Sequence, residues 1–102
     1  MEYKVAEIGE LAPGETKIVK AGGKDLMLCN VNGEYYCVDN VCTHDGGTLS
    51  EGELMDDEIE CPSHGAHFNV KTGAVITLPA VFPIATYLVK MEGKEIKVVI
   101  SE

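Results

Sequence analysis

The chain predicts an all-β domain, and three observations carry that expectation. Short apolar runs separated by turn residues recur from end to end, and no stretch longer than a turn or two shows the 3.6-residue apolar period of an amphipathic helix. The strongest turn signal, Asn32-Gly33, lies inside VNGEYYCV between two β-rich runs. With 102 residues the chain is one domain, and a domain of that length buries roughly two-thirds of the surface its unfolded form exposes.

In chain order, TKIVKA (16–21) and DLMLCNV (25–31) read as strands, and the second turns back at Asn32-Gly33 into EYYCV. ELMDDEIEC folds at Asp56-Asp57, FNVKTGAVI at Lys71-Thr72-Gly73, and YLVKMEGKEIKVVI at Glu92-Gly93-Lys94, so each is a hairpin candidate. In the last run Ile96, Val98 and Ile100 alternate with Lys97, Val99 and Ser101, as a strand with one buried face requires. Gly46, Gly47, Gly52, Pro62, Gly65, Gly73, Pro79 and Pro83 crowd the middle. The expected organisation is a sheet scaffold from about 1–39 and 83–102, carrying a smaller loop-rich unit inserted at about 40–82. No repeat, linker or low-complexity tract interrupts it.

Composition narrows the function classes. Seventeen acidic against eight basic residues leave a net charge of −9, which repels nucleic acid and favours partners that present basic surfaces. The acid is concentrated: from Asp45 to Glu60 there are seven acidic residues and no Lys or Arg, a solvated stretch or a docking face. No apolar run approaches the ~20 residues that cross a bilayer. MEYKVAEIGE has neither a basic start nor an apolar stretch, so no export signal is expected and the cytoplasm is the expected compartment. Four Cys in a reducing compartment point to metal rather than to a disulfide scaffold.

Two short segments carry the chemistry. CTHDGG (42–47) offers Cys42 and His44, and CPSHGAHF (61–68) offers Cys61 and His64, in loops whose glycines let backbone approach a bound object and whose Pro62 stiffens the second loop. A single tetrahedral Zn accepts two Cys and two His, but structural Zn sites usually take a Cys pair from one element and a His pair from another. Here each loop is mixed, and C-x-H is a short bite for one ion. A two-iron cluster explains the mixture, with one loop gripping from each side, both Cys on one iron and both His on the other.

C-T-H followed after sixteen residues by C-P-S-H resembles the [2Fe–2S] signature of Rieske proteins. The resemblance runs from ELAPGE and GEYYCVDN to TLPAVFPIATYLVKMEGKEIKV, and is strongest to the ferredoxins of ring-hydroxylating oxygenase systems. It implies an antiparallel β-sandwich with the inserted cluster-binding unit and one cluster per chain. It also implies that Cys42 and Cys61 hold one iron, that His44 and His64 hold the other near the surface, and that a Pro-rich loop at Leu78 to Phe82 packs over the cluster. His67 is then surplus, a loop histidine near the cluster. Cys29 and Cys37 read as buried, inert thiols, and Tyr35 and Tyr36 as scaffold packing. Asp45 is a possible hydrogen-bond partner of an imidazole.

High-potential Rieske subunits carry an extra Cys in each loop and hydroxyl donors to the cluster; the matching positions here are Gly47, Ser63, Ala66 and Phe68, which allow neither. Donors to a sulfur favour the reduced state. Two absent donors at roughly 1.5–3 kcal/mol each lower the potential by about 130–260 mV, so a midpoint below zero is expected within a Rieske span of about −150 to +300 mV.

No GxGxxG and no spare His₂-carboxylate set appear, so no catalytic residue is expected. The expected role is a monomeric one-electron carrier between a flavin-dependent reductase and a terminal oxygenase or other redox acceptor. The alternatives are a small subunit of a larger reductase such as assimilatory nitrite reductase, a Zn-binding structural module, and a redox sensor.

Overall fold

The computed structural model describes residues 1–40, 49–61, 65–77 and 83–100. Among them lie nine strands, β1 (Glu2–Glu7), β2 (Thr16–Ala21), β3 (Lys24–Val31), β4 (Glu34–Asp39), β5 (Leu54–Met55), β6 (Glu58–Glu60), β7 (His67–Asn69), β8 (Thr86–Glu92) and β9 (Glu95–Val99), with one 3₁₀ turn at Leu49–Glu51. The all-β expectation holds, and every strand pair is antiparallel.

Six strands form one sheet in the order β1-β9-β8-β4-β3-β2, and β5-β6-β7 form a second. β8 joins two layers. Its first residues pair with β4 through Val38↔Thr86 and Cys37↔Tyr87, while Leu88 to Glu92 pair with β9. A strand that changes partners in this way turns the corner of a sandwich.

The turns follow local chemistry. Asn32 and Gly33 both have positive φ, 53° and 94°, and Val31 pairs with Glu34 across them, the mirror-image two-residue turn that matches strand twist. Asp56, at φ 54°, turns β5 into β6. Glu92 pairs with Glu95, so the last hairpin needs only Gly93-Lys94.

β3 is buried on both faces, which explains its unbroken apolar run. Leu26 and Leu28 join Cys37, Val19, Ile96, Val98 and Ile100 in the scaffold core. Met27, Cys29 and Val31 face the other way, into a core completed by Val38, Leu49, Ile59, Cys61, Ala66, Phe68, Val70 and Ile84. The central layer therefore carries the small three-stranded sheet on the face opposite the scaffold core. Buried Asn30 secures the scaffold end: its Nδ2 donates to the Leu11 carbonyl at 2.7 Å, and its Oδ1 accepts from the Gly33 N–H at 2.8 Å.

One reading changes. His67 opens strand β7 rather than lying in a loop, because Glu60 pairs with it on one side and the Ile76 N–H donates to its carbonyl at 2.8 Å on the other. β1, without a turn signal of its own, forms an edge strand against β9 through a register shift between Lys4 and Ala6.

Candidate metal centre

The described residues that flank segments 41–48 and 62–64 form two necks. Cys42, His44, Asp45, Gly46 and Gly47 lie outside the described residues, as do Pro62, Ser63, His64 and the segment 78–82. At the first neck, buried Asn40 accepts from the Ser50 N–H at 2.8 Å through Oδ1, tying the ends of segment 41–48 together. Beside it the Asp39 N–H donates to the Ala85 carbonyl at 3.0 Å, and the Tyr87 hydroxyl donates to Asp39 Oδ1 at 2.6 Å. Burial, then the Asp39 carboxylate, push the Tyr87 phenol up to about 12.

Cys61 forms the second neck. Its N–H donates to the Ala66 carbonyl at 2.6 Å, and the Gly65 N–H donates back to its carbonyl at 2.9 Å, so Cys61, Gly65 and Ala66 are drawn together at the end of β6. Gly65 has φ +74°, a conformation that a side chain resists. The Cys61 side chain is fully buried among Leu49, Ile59, Ala66 and Phe68. A thiol held in an apolar wall at a rigid loop root suits a thiolate ligand to an iron–sulfur cluster. Ala66 and Phe68 are fully buried and bring no side-chain donor, in agreement with the sequence reading. Among the described residues no group of three His, Cys, Asp or Glu could hold a metal ion alone. Any donor set that accompanies Cys61 is therefore sought outside the described residues, in segments 41–48 and 62–64.

The remaining singled-out residues are structural. Cys29 and Cys37 are buried on opposite faces of the central layer. Desolvation pushes both thiols up to about 12, so neither is a nucleophile at neutral pH. Tyr35 and Tyr36 pack, partly buried, against the two cores. A cavity of about 390 Å³ opens where β8 diverges from β4, lined by Tyr35, Tyr36, Cys37, Tyr87 and Leu88. Cys61 is not among the described residues that line it.

The Rieske [2Fe-2S] domain family matches residues 1–88. This chain belongs to that family. Its cofactor is a Rieske [2Fe–2S] cluster, and the zinc alternative is set aside. The chain is similar to the ferredoxin component of biphenyl 2,3-dioxygenase of Rhodococcus jostii (strain RHA1), 42% identical over 95 residues, or 93% of this chain and 89% of that protein. The ferredoxin of carbazole 1,9a-dioxygenase from Nocardioides aromaticivorans IC177 superposes with a TM-score of 0.94 at 33% identity, covering 99% of both chains. A chain in the complex of reduced oxygenase and oxidized ferredoxin in carbazole 1,9a-dioxygenase superposes at 0.90, 34% identical, over 95% of this chain and 91% of that one. The Rieske protein described here is thus of the ferredoxin kind, an electron-transfer component rather than a catalytic subunit.

Two features escaped sequence reasoning. Asn40 closes the first neck, and its only sequence signal is an amide next to the ligand-bearing segment. His67 flanks the second neck, and the alternation of Glu58 and Glu60 on the facing strand is the signal that could have found its partners.

Proposed function

We propose that this ferredoxin carries single electrons at low potential from a flavin-dependent reductase to a terminal oxygenase, with Cys42 and Cys61 on one iron and His44 and His64 on the other. The observation that carries the reading is the buried Cys61 at the root of a hydrogen-bonded loop, set in a chain that spans 89% of a dioxygenase ferredoxin component. When bound, the cluster supplies a one-electron couple; the protein's part is to fix the loops, exclude water from the sulfur end and present a docking surface.

The organisation into a scaffold of about 1–39 and 83–102 with an insertion at about 40–82 is supported by sheet membership: among the described strands β5, β6 and β7 form a sheet of their own, to which Val75 adds a bridge at Phe68. Glu53 and Asp56 are exposed, and Asp57, Glu58 and Glu60 half-buried, on this small sheet, which favours a partner with a basic docking surface. No helix among the described residues is long and apolar enough to cross a membrane, and a monomer working in the cytoplasm is the proposed state. Reconstitution with a flavin reductase and a ring-hydroxylating oxygenase tests the role. Substrate turnover is expected to require this protein and to slow as ionic strength rises; turnover without it, or a clearly positive midpoint potential in a redox titration, contradicts the proposal.

A further inference from the structure

His67 is the histidine that ligand assignment leaves unused, and its surroundings are specific. The ring stands between two carboxylates of the neighbouring strand, with Nδ1 3.3 Å from Glu58 Oε1 and Nε2 3.3 Å from Glu60 Oε2. Its side chain is 20% exposed, against 40% for each glutamate. The backbone fixes the ring there: His67 pairs with Glu60 in register, and its N–H donates to Thr77 Oγ1 at 2.9 Å.

Glu58 and Glu60 alternate on one face of β6, placing two like charges roughly 7 Å apart along the strand. The next residue is Cys61. Glu60 also reaches towards the loop itself, its Oε2 lying 3.8 Å from where a Cβ on Gly65 would sit. Ionised carboxylates only accept hydrogen bonds; a neutral imidazole donates to one of them, and a doubly protonated ring donates to both. The geometry offers a carboxylate to each ring nitrogen, Glu58 to Nδ1 and Glu60 to Nε2.

Electron entry makes a cluster more negative, so unpaired carboxylates at the root of a ligand loop oppose it and a cation there assists it. We propose that His67 is a positioning residue for the redox centre: it clamps Glu58 and Glu60 at the root of the second ligand loop and offsets their charge against electron entry. This rests on the Rieske reading of Cys61 and His64.

The test uses the full-length, cluster-loaded protein in redox titrations at fixed pH and ionic strength. Iron content and nitrogen hyperfine coupling of the wild type are measured first, so that failure of the Rieske reading is seen separately. His67→Gln is expected to lower the midpoint potential at unchanged iron content. Glu60→Gln removes one charge while its amide oxygen still accepts from the ring, and is expected to raise it. The double variant returns towards wild type. Glu34→Gln, at the distal hairpin, controls for net charge and is expected to leave the potential in place. The inference is overturned if Glu60→Gln moves the potential no further than Glu34→Gln does, or if iron-replete His67→Gln titrates with the wild type. Should His67→Gln fail to retain iron, the comparison of Glu60→Gln with Glu34→Gln alone decides.

Discussion

The two faces of the central layer are built differently. Towards the scaffold, Leu26, Leu28 and Cys37 meet Ile96 and Val98, side chains delivered by strands of five to eight residues. Towards the cluster, Met27, Cys29 and Val38 meet Leu49, Ile59, Cys61 and Phe68, delivered by a 3₁₀ turn and strands of two or three residues. Such short ladders are marginal alone. One face is held by strand pairing and apolar area; the other is expected to depend as well on its cofactor and on close backbone packing.

Removing the cluster, by chelation or by Cys61→Ser, tests that difference most severely. Hydrogen exchange is expected to show the amides of Glu60, Asn69 and Val70 losing protection, while those of Lys97 and Val99 keep theirs; uniform loss along the chain would make the two faces one cooperative unit. Phe68→Ala and Ile96→Ala sharpen the contrast. Both side chains are fully buried, and truncation costs about 3–5 and about 2–5 kcal/mol respectively. In urea unfolding both are expected to be destabilised, but only Phe68→Ala should also reduce iron retention.

Close packing comes next in size. A Cβ on Gly52 would land on the Glu60 carbonyl oxygen, and one on Gly73 on that of Ile84. Gly52→Ala and Gly73→Ala are each expected to cost about 1–3 kcal/mol by overpacking, with iron loss. Gly33→Ala meets nothing within 4 Å, so only its positive φ resists, at about 1–2 kcal/mol, with iron retained. Thermal melts and iron analysis of the three variants separate the mechanisms.

Alkaline stability is the smallest effect. The phenol of Tyr87 is raised from 10.0 to about 12, so the folded state holds this proton more tightly than the unfolded one. Its contribution is complete below pH 10 and lost as pH rises through about 12. Tyr87→Phe is expected to remove that part of the alkaline decline and leave the part from Cys29 and Cys37, whose thiols rise from 9.0 to about 12. An alkaline profile unchanged by the substitution would show that burial and Asp39 together do not raise the Tyr87 phenol in solution.

The same asymmetry governs what could be read from sequence. Ile96, Val98 and Ile100 announce a buried face by period alone, and Asn32-Gly33 announces its turn by conformational preference; both are local properties. Cys61 is legible as a candidate ligand because the metal chemistry expected of C-T-H and C-P-S-H restricts residue type and spacing. His67 and Asn40 were not legible as positioned groups, since their partners are set by strand register and by a loop neck that closes over ten residues. β1 was equally silent: Ala6 is its one fully buried side chain, and its pairing with β9 spans almost the whole chain.

The central claim is a cluster ligated by sulfur at one iron and by two imidazoles at the other. Pulsed EPR of the reduced, 15N-histidine-labelled protein addresses it directly. Two directly coordinated nitrogens are expected, with one disappearing in His44→Cys and one in His64→Cys. A spectrum without strong nitrogen coupling, or protein that binds a single metal ion and no sulfide, would contradict it.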